Sequence, residues 1–75
     1  MIINIDRRPE YSLFYIGSLI IELLKKINRA TIETIYDKIC LETNIDYNIN
    51  YIYYSLDWLF LMEKINLSGD ELILC

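Results

Sequence analysis

Residues 48–65, with the sequence NINYIYYSLDWLFLMEKI, decide how the rest of this chain can fold. Apolar side chains recur there at spacings of three, four, three and one residues, and they are Ile49, Ile52, Leu56, Leu59 and Phe60. This spacing places them on one stripe of an α-helix. The other face is aromatic and amide-rich, without lysine or arginine. We therefore predict a helix that packs on its own domain through one face and has a second face for a partner to cover.

Two further helices are predicted before this stretch. Ser12 is a favourable N-cap for a helix over residues 12–27, which is apolar nearly all round. Gly17, in the middle of that helix, indicates close approach of another backbone or, nearly as well, a tolerated substitution. Thr31 caps a second helix over residues 32–43. The long helix is predicted over residues 47–62, with Asp46 or Asn48 as its cap.

The chain after the long helix predicts a β-hairpin. Residues 65–67 alternate as a strand, Gly69 can take a positive φ in the loop, and residues 71–75 return. Three helices followed by a hairpin is the order of a winged helix. We predict a mainly α (α+β) fold in which residues 1–75 form one winged-helix domain, with an N-terminal arm at 1–10 and the wing at 65–75. The competing interpretation is a bare three-helix bundle with a frayed tail.

The amino-acid composition indicates both the class of protein and its compartment. The 75 residues are 55 % hydrophobic, more than a small core can hide. This favours an obligate partner or a self-association patch, although a tight core with ordinary apolar exposure is the alternative. The uncharged run at residues 11–21 is too short to span a membrane, and no signal peptide is indicated. Cys40 and Cys75 have the spacing of neither a metal site nor a disulfide framework, so a cytoplasmic protein is expected.

Few residues in this chain are suited to catalysis. It contains no histidine, and its two glycines are too few for a phosphate-binding loop. Neither cysteine has a basic neighbour that would obviously activate it. We predict no enzymatic activity, no cofactor and no metal. The net charge of −4 and the absence of basic residues on the long helix also argue against direct recognition of nucleic acid.

Two segments resemble a known family. The opening YSLFYIGSLIIELL looks like a signature of small middle-component proteins. These proteins belong to bacterial three-component ABC-ATPase defence systems, the Lamassu-like group. The matching residues are Ser12, Leu13, Ile16, Gly17, Leu19, Ile20, Leu23 and Leu24. The later YSLDWLFLMEKINLSGDELIL is similar to that family's ending, through Leu56, Asp57, Leu59, Leu61 and Ile65. The chain departs from the pattern at Phe60, where tyrosine is common, and at Glu63, where glycine is common.

The resemblance implies a function. It implies a non-catalytic winged-helix subunit that bridges or regulates an SMC-like ABC ATPase and an effector, often a nuclease, in anti-phage immunity. The expected partners are that ATPase and an effector nuclease. The alternative is a small winged-helix transcriptional regulator or antitoxin, which an adjacent toxin gene or tight DNA binding would favour.

Two surfaces are predicted to contact a partner. Residues Tyr47, Tyr51, Tyr54 and Trp58 step by four, three and four, so they would line one exposed ridge of the long helix. Tyrosine and tryptophan at the centre of an interface contribute strongly to binding. The alternative for Trp58 alone is that it folds over the wing. The second surface is the apolar arm with Ile2, Ile3 and Ile5.

Overall fold

The structure is a computed structural model that describes residues 8–75. A short 3₁₀ turn at Pro9–Tyr11 leads into helix α1 (Leu13–Ile27), strand β1 (Arg29–Ala30), helix α2 (Ile32–Thr43), helix α3 (Ile49–Leu61) and strands β2 (Ile65–Ser68) and β3 (Glu71–Leu74). The predicted fold is confirmed: the chain is mainly helical, with a C-terminal hairpin. This arrangement is consistent with a winged helix. The N-terminal arm with Ile2, Ile3 and Ile5 lies outside the described residues.

The first two helices begin and end where their sequences predict. The Ser12 side chain accepts a hydrogen bond from the Phe14 backbone N–H at 3.1 Å, and the Thr31 hydroxyl accepts one from the Thr34 N–H at 3.3 Å. Both contacts satisfy a backbone donor that a helix start leaves open. After α2, Asn44 takes a left-handed conformation with φ 58°, which asparagine tolerates better than most residues.

Helix α3 begins later than the sequence predicts. Asn48 has extended backbone angles, and its side chain accepts a hydrogen bond from the Asn50 N–H at 2.9 Å. It is therefore the N-cap, and Tyr47 lies before the helix rather than in it. The predicted start at residue 47 is wrong because Asn48, rather than Asp46, caps the helix.

The sheet contains one strand more than the predicted hairpin. Its order is β1-β3-β2, and both pairs are antiparallel. Strand β1 pairs Arg29 with Ile73 and Ala30 with Leu72. Gly69 in the hairpin loop has φ +67°, the conformation for which a glycine was expected. The added strand joins the end of α1 to the wing.

The core lies between the three helices and the inner face of the sheet. Helices α1 and α3 make the most extensive helix–helix contact. The buried apolar side chains are Ile16, Ile20, Leu23, Leu24, Ala30, Ile35, Ile39, Tyr47, Ile52, Leu56, Leu59, Ile65 and Leu72. Within residues 8–75, no helix has the length and apolar character needed to cross a membrane.

The C-terminus of α3 forms a Schellman turn. The Glu63 N–H donates to the Phe60 carbonyl at 3.0 Å, and the Lys64 N–H donates to the Leu59 carbonyl at 2.9 Å. This turn holds Glu63 at φ 58°, in the left-handed region. Glycine is favoured at this position because it has no Cβ to clash. The departure from the family pattern at residue 63 therefore falls where the backbone favours glycine.

Replacing Glu63 by glycine should stabilise the protein by about 0.5–1 kcal/mol. A left-handed conformation costs an ordinary residue about 1–2 kcal/mol, and the greater freedom of glycine in the unfolded chain offsets part of the gain. Urea unfolding followed by circular dichroism measures the change. Asn44→Gly is the matched control at a second left-handed position, and it should gain less because asparagine already tolerates that conformation. A Glu63→Gly variant less stable than the natural chain would contradict this explanation.

Candidate protein interface

Tyr47 does not lie on an exposed ridge, contrary to the sequence prediction. Only 1 % of its surface is accessible. Its hydroxyl donates to the Glu10 backbone carbonyl, and its own carbonyl accepts a hydrogen bond from the Tyr36 hydroxyl at 2.5 Å. Burial raises the pKa of Tyr47 to about 12, and the negative charges of nearby groups add to the shift. Tyr47 thus ties the N-terminal turn to the segment between α2 and α3.

Tyr51 is half-buried and faces the N-terminal turn. Its ring lies 5.3 Å from that of Tyr11, and Tyr11 also meets Tyr47 edge to face at 5.4 Å. Arg8 is placed over the Tyr11 ring, 4.3 Å from its centroid. These aromatic contacts are of the kind that stabilise a fold. The Tyr51 ring therefore packs against other aromatic residues of this chain, which leaves only part of it for a partner.

Trp58 packs against α1. Its ring meets Phe14 edge to face at 4.9 Å. A Cβ added to Gly17 would lie 2.8 Å from Trp58 Cζ3, so the indole occupies the space that the glycine leaves. The close approach expected at Gly17 is real, but it is made by a side chain and not by another backbone. Trp58 was alternatively predicted to fold over the wing, but its ring packs on α1.

Tyr54 is the one member of the predicted ridge that is exposed. It belongs to a different surface, which we call the outer face of α3. The outer face consists of Tyr53 (44 % exposed), Tyr54 (59 %), Asp57, Phe60 (38 %) and Leu61 (82 %). It lies opposite the buried Ile52 and Leu59 on the helix. Phe60 was predicted to be buried, and the structure places it at the edge of this exposed face instead.

The outer face carries one formal charge. Asp57 supplies it, and α3 contains no lysine or arginine. The side-chain oxygen of Asn48 is used as the helix cap. This face is therefore apolar with a single negative charge, and that charge disfavours contact with the phosphate groups of nucleic acid.

A shallow groove of about 310 Å³ adjoins this face between α1 and α3. Its lining residues are Phe14, Gly17, Ser18, Ile21, Glu22, Trp58, Leu59 and Lys64. The exposed ring of Phe14 and the half-buried ring of Trp58 form its upper wall. Trp58 lies one turn along α3 from Tyr54 and from Leu61, so the groove borders the outer face although no outer-face residue lines it.

Neither catalysis nor metal binding is indicated by the arrangement of residues 8–75. No group of three histidine, cysteine or carboxylate side chains comes together in this part of the chain. Cys40 is half-buried and Cys75 exposed, and both are free thiols. Every buried side-chain nitrogen or oxygen among the described residues has a hydrogen-bond partner. No buried side-chain polar atom of residues 8–75 is therefore left for a ligand to satisfy.

The predicted interface did not include Phe14, Tyr53, Phe60 or Leu61. Tyr53, Tyr54, Phe60 and Leu61 lie three or four residues from Asp57 on either side. That spacing places large apolar side chains around one carboxylate on a helix surface, and it is visible in the sequence. The assignment of Phe60 to the buried stripe obscured it.

One comparison with known proteins identifies a similar family. Residues 3–75 match the family model for ABC-three component (ABC-3C) system Middle Component 6. No curated protein and no solved structure matches the chain.

Proposed function

Because this chain belongs to the family of ABC-three component (ABC-3C) system Middle Component 6, we propose that it is a non-catalytic accessory subunit of an anti-phage defence complex. In this proposal it bridges or regulates an SMC-like ABC ATPase and an effector such as a nuclease. The family itself suggests the coarser statement, an accessory role in an ABC-three component system. The observation that carries the finer proposal is the exposed, apolar outer face of α3.

Exposed apolar side chains on this face favour a protein partner. Leu61 is 82 % exposed, and Tyr53, Tyr54 and Phe60 lie within one or two turns of it. Fully burying a side chain the size of leucine contributes about 1.5–3 kcal/mol, so four neighbouring residues offer substantial binding energy. Tyrosine is also enriched where protein interfaces derive most of their affinity. We infer that the ATPase covers this face.

The same surface disfavours the alternative of a DNA-binding regulator. In a winged helix that reads DNA, the third helix enters the major groove and basic residues contact the phosphates. Here α3 has no basic residue, and Asp57 is at the centre of its outer face. A mobility-shift titration at low salt tests the point. Tight, salt-sensitive binding by the isolated subunit would favour the regulator or antitoxin instead.

The docking proposal is tested by removing apolar surface from α3. Tyr54→Ser combined with Leu61→Ser should lower the affinity for the purified ABC ATPase subunit of the same system by about 100-fold or more. Each side chain at the centre of an interface typically contributes 2 kcal/mol or more, about a thirtyfold change in affinity. Co-purification and surface plasmon resonance measure the loss.

The matched control is Leu41→Ser. Leu41 is also 82 % exposed, but it lies on α2, away from the outer face. This control should bind the ATPase within twofold of the natural chain, and all variants should keep their helical circular dichroism. If the Tyr54→Ser, Leu61→Ser variant binds normally, the outer face is not the docking surface. The arm with Ile2, Ile3 and Ile5 is then the next surface to test.

A further inference from the structure

Asp57 is surrounded by apolar side chains on the surface of α3. Its neighbours at three and four residues on both sides are Tyr53, Tyr54, Phe60 and Leu61, and each of them is large and exposed. On a helix these positions are the nearest surface neighbours. The carboxylate is therefore at the centre of the outer face.

Asp57 makes neither a hydrogen bond nor an ion pair with any of residues 8–75. Ion pairs are formed elsewhere on the surface, by Glu22 with Lys25 at 3.6 Å and by Arg29 with Glu71 at 3.4 Å. An isolated carboxylate in water is well solvated. Once a partner covers the surrounding rings, however, that solvation is lost and an unpaired charge opposes binding.

We propose that the partner protein inserts an arginine between Tyr53 and Tyr54 to pair with Asp57. This inference rests on the proposed function, since it specifies what the ATPase presents to the outer face of α3. Complementary charge is what lets a partner bury this carboxylate without an electrostatic loss. The partner surface is accordingly apolar, with one cationic side chain at its centre.

The residues around Asp57 favour arginine over lysine. A guanidinium is planar and more weakly hydrated than an ammonium group, so it loses less on leaving water. It stacks on aromatic faces, and Tyr53 and Tyr54 flank the carboxylate. It also donates two parallel hydrogen bonds to one carboxylate. A surrounding layer of apolar side chains excludes water from such a pair, as at the centres of other tight interfaces.

The experiment compares aspartate-to-asparagine changes at two exposed helix positions. Binding to the purified ABC ATPase subunit of the same system is followed by surface plasmon resonance. Asp57→Asn should weaken binding by about 10- to 100-fold, mainly through faster dissociation, as expected for a desolvated pair. Asp57→Lys should weaken it further. Asp37→Asn on α2 changes the net charge by the same amount, and it should leave the dissociation rate within twofold.

The outcomes separate this inference from the proposed function. If Asp57→Asn binds as tightly as the natural chain while Tyr54→Ser, Leu61→Ser does not, the docking surface stands and the arginine pair is wrong. Tighter binding by Asp57→Asn would also refute the pair, since the carboxylate would then only add a desolvation cost. If Asp57→Asn and Asp37→Asn slow association equally, with unchanged dissociation, long-range charge is responsible. If every variant binds normally, both proposals fail at this surface.

The partner residue can then be located on the ATPase. Exposed arginines of the ATPase are changed to aspartate one at a time, and the affinity of each ATPase variant for Asp57→Arg is measured. The variant that changes the partner arginine should recover most of the affinity that Asp57→Arg loses, because the charges of the pair are then exchanged. If no arginine variant does so, the inferred pairing is wrong.

Discussion

Replacing Gly17 by leucine is expected to destabilise the protein by about 0.5–3.5 kcal/mol and to shift the emission of Trp58 to longer wavelength. A Cβ at residue 17 would lie 2.8 Å from Cζ3 and 3.0 Å from Cε3 of the indole, closer than carbon atoms approach without displacement. Overpacking of this kind costs about 1–3 kcal/mol, and losing the edge-to-face contact with Phe14 adds about 0.5–1.5 kcal/mol. The gain in helix propensity offsets about 1 kcal/mol of that.

Trp58 reports directly on this change because it is the only tryptophan in the chain. Thermal unfolding should show a melting temperature lower by roughly 4–8 °C for each kcal/mol of stability that is lost. Gly69→Ala is the control: it strains a positive φ but meets no atom within 4 Å, so it should lower stability without altering the emission. The double variant Gly17→Leu, Trp58→Ala should lose less stability than the two single variants lose in total, because both changes act on the same contact. Unchanged emission in Gly17→Leu would show that the indole does not occupy this space.

Tyr47→Ala should be the most destabilising single change, at about 3–5 kcal/mol. The ring is buried among Tyr11, Tyr51 and the end of α2, and truncating a buried aromatic residue leaves a cavity. The variant also leaves the Glu10 carbonyl without its donor. Urea unfolding measures the loss, which is a large fraction of the stability of a small domain. Tyr53→Ala should change stability by less than about 0.5 kcal/mol, because Tyr53 is exposed and outside the core.

The pH dependence of stability distinguishes the contribution of the Tyr47 hydroxyl from that of its ring. The folded state keeps the phenol neutral up to a pKa of about 12, whereas in the unfolded chain it ionises near 10. This contribution is therefore fully present below pH 10 and is lost as the pH rises towards 12. Tyr47→Phe keeps the ring but should show a smaller decrease in stability between pH 9 and pH 11. An equal decrease in both proteins would mean that Tyr47 does not hold its proton in the fold.

The helices and the hairpin could be predicted because their signals are local. Ser12 and Thr31 cap their helices with a side-chain oxygen that accepts from a backbone N–H two or three residues away. Gly69 acts through its own positive φ, so in each case one residue was enough to place a helix start or a turn. The apolar stripes then selected the buried faces. By contrast, β1 contains two residues, Arg29 and Ala30, which are too few to show an alternating pattern. Its partner strand lies far along the chain.

The candidate interface was harder to predict because tyrosine suits both interiors and surfaces. Tyr47 and Tyr54 have the same side chain, yet Tyr47 is buried by contacts with Glu10 and Tyr36, which are distant in sequence. A helical spacing could not distinguish them. Asn48 as the cap removes Tyr47 from the helix. The grouping of Phe60 and Leu61 with Tyr53 and Tyr54 does not depend on where the helix begins, because it follows from their spacing about Asp57.

The central place of β3 in the sheet sets the order in which the protein can assemble. Arg29 and Glu71, which form an ion pair across β1 and β3, are 42 residues apart in sequence. Closing a loop of this length costs on the order of 3 kcal/mol in chain entropy, which a two-residue strand cannot offset alone. The β2–β3 hairpin has only Gly69 and Asp70 to close. We therefore expect strand β1 to join a hairpin that has already formed, after α1 and α3 have brought the two regions together.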